Sequence, residues 1–155
     1  MKKITALFAI TLLIFTGCKK DNNNEIDTEY PEILTTANSS PLQCGVLTRG
    51  QTFTFKATFS DNKELGAYSL DIHHNFDHHN HSTEVNQCTF DAKKTPVKPF
   101  LLIQNYDIPT GSKRYEATAQ IVVPADVDPG DYHFMIRLTD KEGWQTIKGL
   151  SIKVQ

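Results

Sequence analysis

An all-β fold, a single antiparallel β-sandwich, is what this sequence predicts, on three observations. Apolar and polar residues alternate with a period of two in five separate runs, turn-forming residues cluster between those runs, and no segment carries a helical stripe. A parallel sheet would need crossover helices, so strands without helices pack as antiparallel layers.

The first run, "QTFTFKATFS", puts Phe53, Phe55, Ala57 and Phe59 on one side and Thr52, Thr54, Lys56 and Thr58 on the other, which predicts a strand over 52–60. After the turn "SDNKELG", "AYSLDIHH" predicts a strand over 67–74, with Tyr68, Leu70 and Ile72 facing in and Ser69, Asp71 and His73 facing out. "YEATAQIVV" aligns Ala117, Ala119, Ile121 and Val123 in a strand over 115–123, and "PADVDPGD" ends it. "GDYHFMIRLT" predicts a strand over 130–139, with Tyr132, Phe134, Ile136 and Leu138 inward and His133, Met135 and Arg137 outward. After "DKEG", "LSIKV" ends a strand over about 145–154, with Leu150, Ile152 and Val154 facing in. Tyr132, just past Asp-Pro-Gly, sits where an immunoglobulin-like sandwich carries its tyrosine corner. The expected architecture is therefore one immunoglobulin-like or fibronectin-III-like domain over 30–155, with a jelly roll as the runner-up.

The N-terminus reads "MKKITALFAITLLIFTGCKKDNNNE". Lys2 and Lys3 precede an apolar run from Ile4 to Phe15 that is short for a membrane anchor, and small residues lead into Cys18, the pattern of a secretion signal over 1–17. "FTGC" resembles a bacterial lipobox, in which the cysteine is acylated and becomes the first mature residue. Cys18 would then hold the chain to a lipid bilayer. Residues 18–29 read as a flexible tether, and its "KKDNNNE" resembles the charged segments of surface-exported lipoproteins. The expected location is the outer membrane, at the cell surface or on its periplasmic face. Removing 1–17 takes two lysines and no acid from a chain of formal charge −2, leaving −4. A mildly acidic domain of this kind has no electrostatic case for nucleic acid.

With Cys18 acylated, Cys44 and Cys88 remain as an even pair in an oxidising compartment, and a disulfide between them is expected. The alternatives are two buried thiols, or Cys88 acting as a metal ligand beside the nearby histidines.

Those histidines are the chemical signal. "LDIHHNFDHHNHS" holds five of the six histidines of the chain, at the end of a strand and in the long excursion over 75–98 that follows. Long loops of this kind are uncommon unless they are functional or disordered. Imidazole is the usual neutral nitrogen donor for borderline metals, and several must converge on one ion. His73 faces out, and an extended 79–81 puts His79 and His81 on one face, giving three nitrogens. Asp71 and Asp77 can hold imidazole N–H groups or ligate directly. His74 follows the inward parity of Ile72, and His78 alternates away from His79. The end of the 67–74 strand and the start of the 130–139 strand are antiparallel neighbours in an immunoglobulin-like sheet, which brings His133 to the same patch. The expected ion is zinc first and copper(II) second. Against this stand a merely solvated or pH-responsive loop and a purely packing role.

No catalytic residues are expected: H-E-x-x-H, G-x-S-x-G and P-loop motifs are missing, and Glu84 is the nearest carboxylate that could serve as a general base. The alternative function is a cell-surface adhesion or interaction module for a glycan or protein. Its aromatic platform would be Trp144, with Tyr106 or Tyr115, although a tryptophan beside a hairpin more often covers a sheet edge.

"DIHHNFDHHNHS", the lipobox at Cys18 and "VPADVDPGDYHFMIRLTDKEG" together resemble an uncharacterised family of Bacteroidota lipoproteins with one immunoglobulin-like domain. The histidine stretch is specific to that family, whereas the last stretch is shared with many extracellular sandwich domains. The resemblance implies the fold and a place in the cell envelope. It implies no activity, since the family is known only as a domain of unknown function.

Overall fold

A computed structural model describes residues 26–155; the expected signal segment and Cys18 lie outside the described residues. The described chain forms eight strands: β1 (Glu32–Leu34), β2 (Gly45–Leu47), β3 (Thr52–Ser60), β4 (Leu65–His74), β5 (Leu102–Asp107), β6 (Arg114–Val122), β7 (Gly130–Asp140) and β8 (Gln145–Val154). They make two sheets, β1-β3-β6 and β2-β8-β7-β4-β5. All pairs are antiparallel except β2 with β8, which run parallel. This is the immunoglobulin-like sandwich expected from the alternation.

The inward residues of the long strands meet between the sheets. Phe55, Phe59, Tyr68, Leu70, Ile72, Ala117, Ala119, Ile121, Phe134, Ile136 and Leu138 are all buried. Phe55 stacks on Phe134 at 5.7 Å between ring centroids, and Phe59 meets Tyr68 at 5.1 Å, so aromatic pairs join the two layers. Fully burying one such phenylalanine contributes roughly 1.5–3 kcal/mol, which is why this alternation dictates which face points inward.

Tyr132 forms the corner: its hydroxyl donates to the Asp128 carbonyl at 2.6 Å and accepts the Phe100 amide at 3.0 Å. It thereby ties the turn before β7 to the end of the long excursion. That excursion runs from the end of β4 to the start of β5. Its ends are sunk in the core through Phe76 and Phe100. Asp128 accepts the amides of Val97 and Lys98, both at 2.7 Å, and Cys88 is bonded to Cys44 as expected. In the chain-entropy picture, closing a loop with a sequence separation of 44 stabilises the fold by about 4 kcal/mol.

Three strands carry no alternation that announces them. β1 and β2 have three residues each, too few for a pattern. β5, "LIQNYD", is an edge strand on β4 with only Leu102 and Tyr106 half-buried, so its two faces differ little in polarity. At the N-terminal side, contacts of the sandwich extend past residue 30 to Asp27, which is buried and accepts a hydrogen bond from Asn62 at 2.9 Å.

Candidate metal centre

Period-two alternation sends His73 to the outer face of the five-stranded sheet, because Ile72 before it goes to the core. The β4–β7 register sets His73 directly opposite His133. Cross-strand partners stand about 5 Å apart, so the first two imidazoles are neighbours by backbone geometry alone; their ring centroids are 5.4 Å apart.

The excursion brings the other two. It folds back over the sheet and docks on β8 at Gly149. The Thr83 amide donates to the Gly149 carbonyl at 2.9 Å, and the Gly149 amide donates to the Thr83 hydroxyl at 3.2 Å. A side chain at position 149 would overlap the His81 carbonyl oxygen, so only glycine admits the loop this closely. The ammonium of Lys148 pairs with Glu84 one step further along the loop. Gly149, Thr83 and Lys148 are the parts that residue chemistry alone does not point to; the one signal for them is a glycine inside the strand "QTIKGLSIKV".

The result is a four-histidine cluster. His79 lies 5.7 Å from His73 and 4.9 Å from His81 between ring centroids, and His133 lies 5.0 Å from His79 and 5.3 Å from His81. One ring nitrogen from each of His73, His79 and His81 falls within 4.8 Å of the others. Three nitrogens around zinc at 2.0–2.1 Å stand about 3.4 Å apart, so small side-chain rotations close the set.

Two carboxylates fix the imidazoles. Asp71 accepts from Nδ1 of His73 at 2.7 Å, and Asp77 accepts from Nδ1 of His79 at 2.5 Å. The Asp77 carboxyl is held down to about 2, chiefly by that hydrogen bond. With Nδ1–H committed to a carboxylate, Nε2 keeps the lone pair, which is the tautomer a metal requires. The two aspartates are therefore acceptors behind the donors.

His133 is the floor of the site, 1% exposed beneath the loop. Burial pushes its pKa down to about 4, with the three neighbouring imidazoles acting in the same direction, so the ring is neutral near pH 7. Its Nε2–H donates to the His79 carbonyl at 3.0 Å, while Nδ1 is buried without a partner. An orphaned buried nitrogen beside three donors fits a fourth ligand, or an acceptor for a water on the ion.

His74 and His78 are not brought in. His74 packs on Phe76 at 5.0 Å on the far side of β4, as its parity implies. His78, at a positive φ of 61°, turns its ring onto Phe90 at 4.8 Å, with Nε2 3.8 Å from Asp131. Cys88 is spent in the disulfide. Beside the cluster, an open depression of about 460 Å³ on the sheet face is lined by Asp71, His73, His81, Met135 and Arg137, among others. Trp144 lies at the opposite end, half-buried against Tyr30 at 4.9 Å, with its indole N–H donating to the Asp27 carbonyl at 2.8 Å. Tyr106 stacks on Tyr68 at 4.7 Å, and Tyr115 packs against the same core.

No curated protein matches the chain. The sequence profile of DUF4625, a domain of unknown function, matches residues 16–155, and the chain belongs to that family.

Proposed function

We propose that this protein is an extracytoplasmic lipoprotein that binds a divalent transition metal, zinc first and copper(II) second, through His73, His79 and His81, with His133 beneath them. The observation that carries the reading is the convergence of three imidazole nitrogens within 4.8 Å, two of them on rings already oriented by carboxylates. A solvated histidine loop has no reason to direct its rings to one point or to back two of them with carboxylate acceptors. The donor set is all imidazole, which suits zinc, while the stability order keeps copper(II) as the competitor.

Binding is favoured over hydrolysis because Glu84, the candidate general base nearest in sequence, is engaged by Lys148. The interaction-module reading has less support: the indole N–H of the half-buried Trp144 is used internally, and of the two exposed aromatics among the described residues, Tyr30 and Phe90, only Tyr30 packs against it. The anchoring part of the proposal rests on the sequence around Cys18 alone.

The test is metal analysis of the full chain purified without a histidine tag, with zinc and copper(II) titrations followed by thermal unfolding. One ion per chain is expected, with stabilisation of about 2.7 kcal/mol at a hundredfold excess over Kd. The His79→Ala, His81→Ala double variant should lose it, and acidification from about pH 7 to 5 should release the ion as the imidazoles take protons. No bound metal and no thermal shift would refute the proposal. A glycan response abolished by Trp144→Ala, with the histidine variant unaffected, would support the interaction module instead.

A further inference from the structure

A second group of ligands lies at the other end of β7. Asp140, the last residue of that strand, stands seven residues from His133, roughly 23 Å along an extended chain. Asp27 arrives from the N-terminal segment and Glu142 from the β7–β8 turn. One carboxylate oxygen from each of Asp27, Asp140 and Glu142 lies within 4.8 Å of the others.

Proximity of acids would mean little on an open surface, but two of these are buried. Asp27 is 3% exposed and Asp140 4%. Each spends one oxygen on the protein. Oδ1 of Asp27 accepts from the Glu29 amide at 3.0 Å and from Asn62 at 2.9 Å, and Oδ1 of Asp140 accepts from the amides of Gly143 and Trp144 at 2.6 and 2.7 Å. The other oxygen of each, Oδ2, is buried and has no hydrogen-bond partner. Two buried, unpartnered carboxylate oxygens beside a third acid are costly as they stand, since each lacks the partner that burial demands. Lys63 brings one positive charge near Asp27, against three carboxylates.

We infer that Asp27, Asp140 and Glu142 form a site for a hard divalent cation, calcium by preference. Its donors are all oxygen, with no imidazole or thiolate, which separates it chemically from the histidine site. Calcium takes six to eight oxygens in flexible geometry. Glu142 is exposed, so water reaches the open side and completes the shell. The ion would join the N-terminal segment to the β7–β8 turn, where three contacts already hold it: the Trp144 indole on the Asp27 carbonyl, the Tyr30–Trp144 ring pair, and the Thr146 hydroxyl donating to the Pro31 carbonyl at 2.5 Å.

Trp144 is the only tryptophan in the chain and touches both buried acids, so its emission reports on this site. The experiment is a calcium titration of the untagged full chain, stripped with chelator, read by tryptophan emission and by Tm. A saturable emission change is expected, with Tm rising by about 4 °C for each tenfold excess of calcium above Kd. Glu142→Gln, an exposed change that leaves the fold intact, should weaken the response at least tenfold, and Asp27→Asn should abolish it. The His79→Ala, His81→Ala variant should respond like the wild type. No change in emission or Tm up to about 10 mM calcium, ten times the weakest range of extracellular calcium modules, overturns the inference. So does an undiminished response in Glu142→Gln.

Discussion

Gly149→Ala is the substitution that most directly probes how the histidines are assembled. The new methyl would stand 2.9 Å from the carbonyl carbon of His81 and 2.9 Å from Met135 Sδ, and it would overlap the His81 oxygen outright. Met135 can rotate, but the loop backbone cannot yield without moving. Restoring ordinary contact lifts residues 81–83 by at least about 1 Å, against the ±0.2 Å that metal–ligand distances tolerate. The lift also stretches the hydrogen bonds between Thr83 and Gly149, at a cost of about 1 kcal/mol each. β8 keeps its pairing with β7, so the sandwich itself should survive. Zinc affinity, measured by competition with a chromogenic chelator, should fall at least tenfold, approaching the loss caused by His81→Ala. Combining Gly149→Ala with His81→Ala should add little, because both remove the same ligand. An unchanged zinc Kd in Gly149→Ala would refute the docking argument, and full additivity would show that Gly149 acts by another route.

Two other outcomes are expected. Replacing both Cys44 and Cys88 by Ser should cost up to about 4 kcal/mol in urea unfolding and should also weaken zinc binding, because the same bond pins the excursion that carries His79 and His81. Buried neutral His133, with its pKa pushed down to about 4, resists a proton that the unfolded chain accepts near 6.5; the metal-free protein should therefore lose stability as pH falls from about 6.5 to 4, by at most about 3 kcal/mol. His133→Gln retains a donor for the His79 carbonyl and should flatten that part of the profile, whereas an equally steep fall in the variant would assign the acid sensitivity to other groups.

The sequence makes the long strands legible because each buries one face and exposes the other: Phe53 to Phe59 and Tyr132 to Leu138 can be read inward or outward residue by residue. The same parity places His73 outside and His74 inside, and it puts His133 beside His73. The tyrosine corner and the cysteine pair follow from chemistry that leaves few alternatives. What resists reading is structure set by contact across the fold. β5 has nearly equivalent faces, and β1 and β2 are too short to show a period. Convergence of His79 and His81 on His73 depends on where the excursion lands, and Gly149 decides that from 66 residues away. The division of labour between imidazole and carboxylate is likewise set by geometry rather than by residue type, with Asp71 and Asp77 standing behind the rings.

Asp27 enters the sandwich beside the β7–β8 turn, whereas the imidazoles gather on the outer sheet face toward the start of β7, with His133 seven residues, roughly 23 Å, from Asp140. The described chain therefore begins at the end of β7 remote from the histidines. A soluble ion approaching the outer sheet face therefore meets His81 first, because His81 is the exposed member of the three, whereas His133 lies beneath the loop.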